Sequence, residues 1–447
     1  MKKILLLFSC FYISLNAQQI DSTYGINGTS TLNEITSFGG YAIQPDGKIL
    51  LAGRNANLHP IIIRLDTNGS IDYSFGTNGK FIVTSETGFF IYPKILPSGS
   101  IIVYNSNGKY YRLLSNGSID PTFSNQIQYS SYYEDYGVLS DGKIVYCGNQ
   151  SLLRYNSDGS LDTSFGSNGI FRIFPSTSTE SISGIEIDPL TNTIFIRSQL
   201  KLNGEYRYWK VTQEGIMTAT PILVQDASST FKFTSQNLFI SGYNSPNGSS
   251  NGRTFTRKFD NSMTQIQNYY VQDNFDYDNL DITVPQAGKI IQINKTSSNH
   301  LDLQIVKLKQ TYPYEDTSFG TNGKYIFTPG ITIREAYCEY DNFTNALFVI
   351  VSGGYPERVQ VTKFKQVNLS INELNKTKVS FYPNPAEKKI FFSDKIKFVT
   401  LFSLDGKKIN TDCVNEYVDI STLQSGIYIL KYEDFNGNFY TEKLIKK

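Results

Sequence analysis

The chain has 447 residues, too many for one ordinary core, so two or three domains are expected. Hydrophobic residues make up 40% and aromatics 14%, which excludes long stretches of disorder. The 41 Lys+Arg nearly cancel the 40 Asp+Glu. A net charge of +1, with no long basic run, leaves no field for nucleic acid or anionic lipid.

The N-terminus reads as a signal peptide over residues 1–17. Lys2 and Lys3 supply the positive end, Ile4 to Ile13 the apolar stretch, and Ala17 the small residue before a cut at Gln18. An alternative is lipoprotein processing at Leu7-Phe8-Ser9-Cys10. The bulky Phe8 and the very short apolar run before Cys10 argue against it. No later segment is long enough to span a bilayer, so no transmembrane segment is expected in the mature chain.

After Cys10 the cysteines are Cys147, Cys338 and Cys413, far apart and odd in number. They form no disulfide framework and read as small buried side chains. There is no CxxC, and the only histidines are His59 and His300. Neither a metal nor a cofactor is expected.

A repeat fills residues 18–368. Its clearest copy runs Asp46-Gly47-Lys48-Ile49, then Arg64-Leu65, then Asn68-Gly69-Ser70-Ile71-Asp72-Tyr73-Ser74-Phe75-Gly76. Close copies follow at Asp141-Gly142-Lys143 with Asp162-Thr163-Ser164-Phe165, and a partial one around Pro97 to Phe123. Fainter ones begin near Asn192, Gln236, Ala287 and Asn345, and Asp316 to Lys324 recovers the ending. Seven units of about 50 residues signal a propeller, solenoid or array.

Local chemistry selects the propeller. Asx-Gly pairs suit tight hairpins. The short apolar runs after them suit strands covered on both faces, as between packed blades. We therefore place these runs as the inner strands. Ile20 to Gly28 copies a unit ending with no beginning, and the seventh unit lacks an ending. The expectation is a seven-bladed β-propeller whose ring is closed by the N-terminal segment. The motif set resembles the delta-60 repeat of bacterial surface and secreted proteins. That resemblance implies a propeller-like fold and transfers no catalytic residue.

Residues 369–378 read as a linker. From Val379 onward, short strands at even spacing, with an Asp-Gly hairpin, describe a small Ig-like β-sandwich. Residues 379–447 carry Tyr382-Pro383-Asn384-Pro385, Asp405-Gly406-Lys407, Ser425-Gly426 with Tyr428, and the basic end Lys446-Lys447. In this order they resemble the type A C-terminal sorting domain of type IX secretion cargo. The resemblance implies a Gram-negative host, passage through the periplasm, and recognition of residues 379–447 by the outer-membrane translocon. The cargo then ends up secreted or on the outer surface.

Catalytic equipment is sparse. His59, between Leu58 and Pro60, reads as a loop residue and a weak base. The acidic stretches Glu134-Asp135 and Asp273 to Asp281 read as solvated loops rather than a glycosidase pair. Asn156 to Asp162 has the flavour of a calcium loop but lacks its closing Glu. The pairs Tyr110-Tyr111, Tyr132-Tyr133 and Tyr269-Tyr270 read as packing between blades, with a few left to stack on a ligand. A binding module for an extracellular glycan or protein leads. The alternatives are a polysaccharide-acting hydrolase or lyase and a structural surface protein. Converging acids, or one histidine, in a deep axial pocket would favour the enzyme.

Overall fold

The structure is a computed structural model. It describes residues 20–124, 133–148, 150–175, 177–188, 191–200, 205–218, 220–224, 227–234, 237–244, 253–271, 277–286, 289–296, 301–309, 314–317, 319–341, 344–365, 379–403, 408–409, 413–414, 417–434 and 439–447. Within them every regular element is a strand. No described helix is long and apolar enough to cross a membrane.

Among the described residues, seven antiparallel sheets follow one another along the repeat region. The first holds β2 (Ser37–Ile43), β3 (Ile49–Arg54), β4 (Pro60–Leu65) and β5 (Lys80–Ile82). The second has three strands, β6 (Phe90–Ile95), β7 (Ile101–Asn105) and β8 (Lys109–Leu113). The third runs β9 (Tyr133–Val138), β10 (Ile144–Gly148), β11 (Ser151–Tyr155), β12 (Ile170–Arg172). The fourth runs β13 (Glu180–Ile187), β14 (Ile194–Leu200), β15 (Tyr206–Val211), β16 (Ile222–Val224). β17 (Ala227–Thr234), β18 (Asn237–Asn244), β19 (Arg253–Phe259) and β20 (Gln265–Val271) make the fifth. β21 (Tyr277–Gln286), β22 (Lys289–Thr296), β23 (Leu303–Leu308) and β24 (Lys324–Phe327) make the sixth. The seventh joins β25 (Ile333–Asp341), β26 (Ala346–Gly353) and β27 (Arg358–Phe364) to β1 (Thr29–Leu32), from the other end of the repeat region.

Apolar side chains on both faces of the middle strands bind each sheet to the next. Leu50, Ala52 and Ile62 pack on Phe90, Ile101 and Val103 of the second sheet. From the opposite face, Ile49, Leu51, Ile61 and Ile63 pack on Phe348, Ile350, Val359 and Val361 of the seventh. Clusters of the same kind join the intervening pairs. Each isoleucine so buried contributes about 1.5–3 kcal/mol.

The repeat motif has one physical meaning. Arg64 Nε donates to Asp72 Oδ2 at 2.8 Å, and Lys48 of the Asp-Gly-Lys turn reaches the same oxygen at 2.7 Å. Ser74 donates its N–H and hydroxyl to the other oxygen, at 3.0 and 2.6 Å. The guanidinium lies 4.6 Å from the centre of the Phe75 ring. Its Nη1 crosses to the turn after β8, onto the Ser115 carbonyl at 2.6 Å. Arg112–Asp120 and Arg154–Asp162 repeat the pair at 2.8 Å, and Lys307–Asp316 substitutes a lysine at 3.0 Å. In the seventh sheet Lys363 pairs, at 3.5 Å, with Asp21 of the N-terminal segment.

Beyond the repeats, two sheets, each of four strands among the described residues, face one core. One holds β28 (Phe381–Tyr382), β29 (Lys389–Phe392), β33 (Tyr417–Asp419) and β32 (Cys413–Val414). The other holds β31 (Lys408–Ile409), β30 (Ile396–Ser403), β34 (Gly426–Asp434) and β35 (Phe439–Lys446). Ile390, Leu401, Val418, Leu430, Tyr432 and Leu444 are buried between them.

Candidate functional site

The apolar runs after the Asx-Gly turns are the second strands of their sheets, covered on both faces as expected. The first strands, β2, β6, β9, β13, β17, β21 and β25, are more polar, and they line a cavity of about 560 Å³. A channel wall needs only one apolar face, so its strands lack the continuous apolar run that marks the second strands.

Each channel strand carries a β-bulge. Register slips at Phe38/Gly40, Ile91/Lys94, Ile182/Gly184, Ser228/Thr230, Asn279/Asp281 and Ile333/Glu335, and opposite Cys147/Gly148 in the third sheet. A bulge re-aims the side chains beside it. Tyr92 sits in one, with φ of 50°, and its side chain is 42% exposed. Burial, followed by the nearby Asp135 carboxylate, pushes its hydroxyl up to about 12.

Register sorts the charged groups into two levels. Lys94, Glu186, Lys232 and Glu339 lie opposite Ile102, Phe195, Phe239 and Phe348, equivalent positions of four second strands. Their charges alternate around the channel. Asp135, opposite Cys147, and Asp281, opposite Ile293, form the second level.

The second-level acids belong to the wall. Asp135 accepts the Ile185 N–H of the next channel strand at 3.3 Å, and burial pushes its pKa up. Asp281 accepts the Cys338 N–H at 3.0 Å and the Thr230 hydroxyl at 3.3 Å. Burial raises the Asp281 carboxyl to about 6, although Lys232 and the Cys338 N–H oppose the rise. Thr283 likewise accepts the Tyr340 N–H at 3.1 Å.

At the first level, Glu339 accepts the Tyr41 hydroxyl at 3.2 Å and lies 3.8 Å from Lys232. Burial works against the Lys232 charge, but Glu339, Asp281 and Glu186 outweigh it and keep the ammonium charged. Arg197 enters from β14 beside Gly184 and donates to the Ser183 hydroxyl and carbonyl, both at 3.0 Å. Lys94 and Glu186 make no hydrogen bond or close ion pair with a described residue. Burial raises the Glu186 pKa, and Lys232 and Lys94 partly offset it.

Asp135 and Asp281 therefore correct the reading of their segments as solvated loops: both lie on strands, and Asp281 is 4% exposed. The clue was periodicity. Asp281-Ile282-Thr283-Val284 alternates polar and apolar, the mark of a half-buried strand. His59 lies in the β3–β4 loop with Nδ1 2.9 Å from the Glu86 carbonyl. His300, the Glu134 side chain and Tyr132 fall outside the described residues. In the segment with a calcium flavour, Asp162 is taken by Arg154 and Lys143, and Asp158 by Ser160. Tyr110 and Tyr269 are buried packing residues, while Tyr270 is partly exposed. Cys147 and Cys338 are free and buried, and the Cys413 side chain is outside the described set.

In the C-terminal sandwich, Tyr382-Pro383 and Asn384-Pro385 are cis peptide bonds. Asn384 laces the entry segment to the last strand. Its Nδ2 donates to the Lys443 carbonyl at 2.7 Å and its Oδ1 accepts the Ile445 N–H at 2.8 Å. Ala386 N–H donates to the Ile445 carbonyl at 2.8 Å, and Lys447 N–H to the Ala386 carbonyl at 2.9 Å. Pro383 and Pro385 are exposed beside it, and Tyr382 stacks on Phe391. Ser425 is an exposed bend before β34, Gly426 starts that strand, and Tyr428 donates to the Gln424 carbonyl at 2.8 Å. The basic end is the close of β35, with Lys446 half-buried and Lys447 exposed. Asp405, Gly406, Lys407, Cys10, Ala17, Gln18 and the linker 369–378 lie outside the described residues.

Residues 380–447 match the secretion system C-terminal sorting domain. This is an exported protein. Such a domain marks cargo of type IX secretion, which is secreted or held at the cell surface. Residues 44–75 and 139–165 match the β-propeller domain of unknown function DUF5122. No curated protein matches the sequence. Among solved structures, the Neurospora crassa Pan2 WD40 domain is 8% identical over 73% of this chain and 89% of that one, with a TM-score of 0.46. The extracellular domain of the hybrid two-component system BT4673 from B. thetaiotaomicron is 10% identical over 96% and 59%, with a TM-score of 0.46. PorZ, a surface component of the type-IX secretion system of Porphyromonas gingivalis, is 10% identical over 95% and 60%, with a TM-score of 0.39. This chain thus spans about three fifths of each of the last two.

Proposed function

We propose that the chain is a seven-bladed propeller, closed by its N-terminal strand, that an Ig-like sorting domain takes through the type IX translocon. Outside the cell it works as a non-catalytic binding module for a glycan or protein-derived ligand. The observation that carries this reading is the axial channel. It has the volume of a small-ligand site and presents aromatic rings beside charged groups of both signs.

Four acids line the channel, which is the feature that would favour a glycoside hydrolase. Their engagement favours binding over hydrolysis. Asp135 and Asp281 are spent on backbone N–H groups of the next strand, and Glu339 on Tyr41 and Lys232. That leaves Glu186 alone, and hydrolysis of a glycosidic bond needs two working carboxyl groups.

The test is glycan-array and peptide-array binding by the mature full chain, with reducing-end release from the same glycans measured in parallel. Binding without release is the expected result. Release that Glu186→Gln abolishes would make the protein an enzyme.

A further inference from the structure

Resting on the reading of the channel as a binding site, we infer that its ligand is a small zwitterion of the amino-acid or short-peptide class, with its carboxylate on Lys94 and its ammonium on Glu186. Both side chains are half-buried in the cavity wall, and neither has a hydrogen-bond or close ion-pair partner among the described residues. Withdrawing a charge from water without a partner is costly, so a half-buried unpaired ammonium and carboxylate mark where ligand charges are met.

The two sit at one level of the channel on alternate strands, β6 and β13. The strand between them carries Gly137 at that level and adds no charge. The remaining charged groups are already committed. Lys232 faces Glu339, Arg197 holds Ser183, and Asp135 and Asp281 hold backbone N–H groups.

An ordinary neutral sugar would leave both charges without a direct ionic partner, with only the longer-range attraction between Lys94, Glu186 and Lys232, and a simple anion or cation would satisfy one and repel the other. A free amino acid or dipeptide satisfies both. The partly exposed Tyr92, pre-aimed by its left-handed backbone, offers aromatic surface for an apolar side chain. A volume of about 560 Å³ admits a dipeptide.

The test is calorimetric titration of the mature full chain with four probes: alanyl-phenylalanine, its N-acetyl form, its C-terminal amide, and cellobiose. The free dipeptide binds, and each cap weakens it about tenfold or more, as loss of one charge-assisted contact requires. Lys94→Gln erases the preference for the acid over the amide, and Glu186→Gln erases the preference for the amine over its acetyl form. Each variant keeps the other preference, which shows that it is folded.

Equal binding of free and capped dipeptides, no binding of the dipeptide, or selectivity unchanged in both variants overturns the inference. Cellobiose binding in place of the dipeptide overturns it while leaving the binding-module reading standing. That broader reading fails only if the arrays also find no ligand.

Discussion

Arg64 and Asp72 meet at 2.8 Å, and the same guanidinium reaches the Ser115 carbonyl, in the turn after β8 of the neighbouring sheet, at 2.6 Å. One side chain thus closes its own sheet and holds the next. Removing the carboxylate leaves a buried guanidinium unpaired. Asp72→Asn should therefore cost about 3 kcal/mol, read by urea unfolding. A loss below about 1 kcal/mol would show that the pair is ornamental.

The same carboxylate sets an acid limit. Burial pushes the Asp72 pKa up, but Lys48, Ser74 and Arg64 outweigh it and hold the carboxyl well below the usual range. Asp162 behaves alike. An acid depressed on folding stabilises above its unfolded value of about 4 and loses that contribution as pH falls further. Thermal melts should show a steep loss of stability below pH 4, and the loss should be shallower in Asp72→Asn.

Asp281 has the opposite sign. Burial raises it from 3.8 to about 6, so the folded chain binds the proton more tightly than the unfolded one. Its contribution falls as pH rises from about 4 to about 6, by at most about 3 kcal/mol. The melting temperature of Asp281→Asn relative to wild type should rise across that window. A difference independent of pH would refute the assignment.

Glycines discriminate between staples and plain turns. A Cβ on Gly117 would lie 2.7 Å from the Phe75 ring and 2.8 Å from the Gly76 nitrogen, whereas one on Gly142 would meet only Ser157 at 3.4 Å. Both have φ near +85°. Gly117→Ala should cost about 1–3 kcal/mol more than Gly142→Ala, because overpacking adds to the shared backbone strain.

Much of this architecture was legible in the sequence, for a physical reason. Asp-Gly-Lys, Arg-Leu and Asp-x-Ser-Phe recur because Lys48, Arg64, Asp72 and Phe75 converge on one cluster. The N-terminal copy of the ending was legible likewise, and Asp21 meets Lys363 in the seventh sheet.

The channel was not legible. Its strands need only one apolar face, each is broken by a bulge, and the channel-facing residue changes from Lys94 to Gly137 to Glu186 between sheets. No pattern in a single sequence marks a position that varies in every copy. Asp135 and Asp281 tie adjacent strands together, and of the two only Asp281 carries a sequence sign of this, the alternation over Asp281 to Val284.

Asn384 offers a test confined to the sorting domain. Its two hydrogen bonds lace the Tyr-Pro-Asn-Pro entry to β35, each contributing about 1 kcal/mol. Asn384→Ala should lower the amount exported without altering ligand binding by the propeller. Immunoblots of medium and periplasm measure this. Export at the wild-type level would show that the lacing is dispensable for recognition.

The central claim is export through residues 379–447, and fractionation of the native host with and without a working type IX translocon tests it most directly. The account predicts protein in the medium or on the outer surface of the intact strain, and its retention in the periplasm of the translocon mutant. Mass spectrometry of the C-terminus of the exported form should show the sorting domain removed. Intact protein found in the periplasm of both strains would contradict the account.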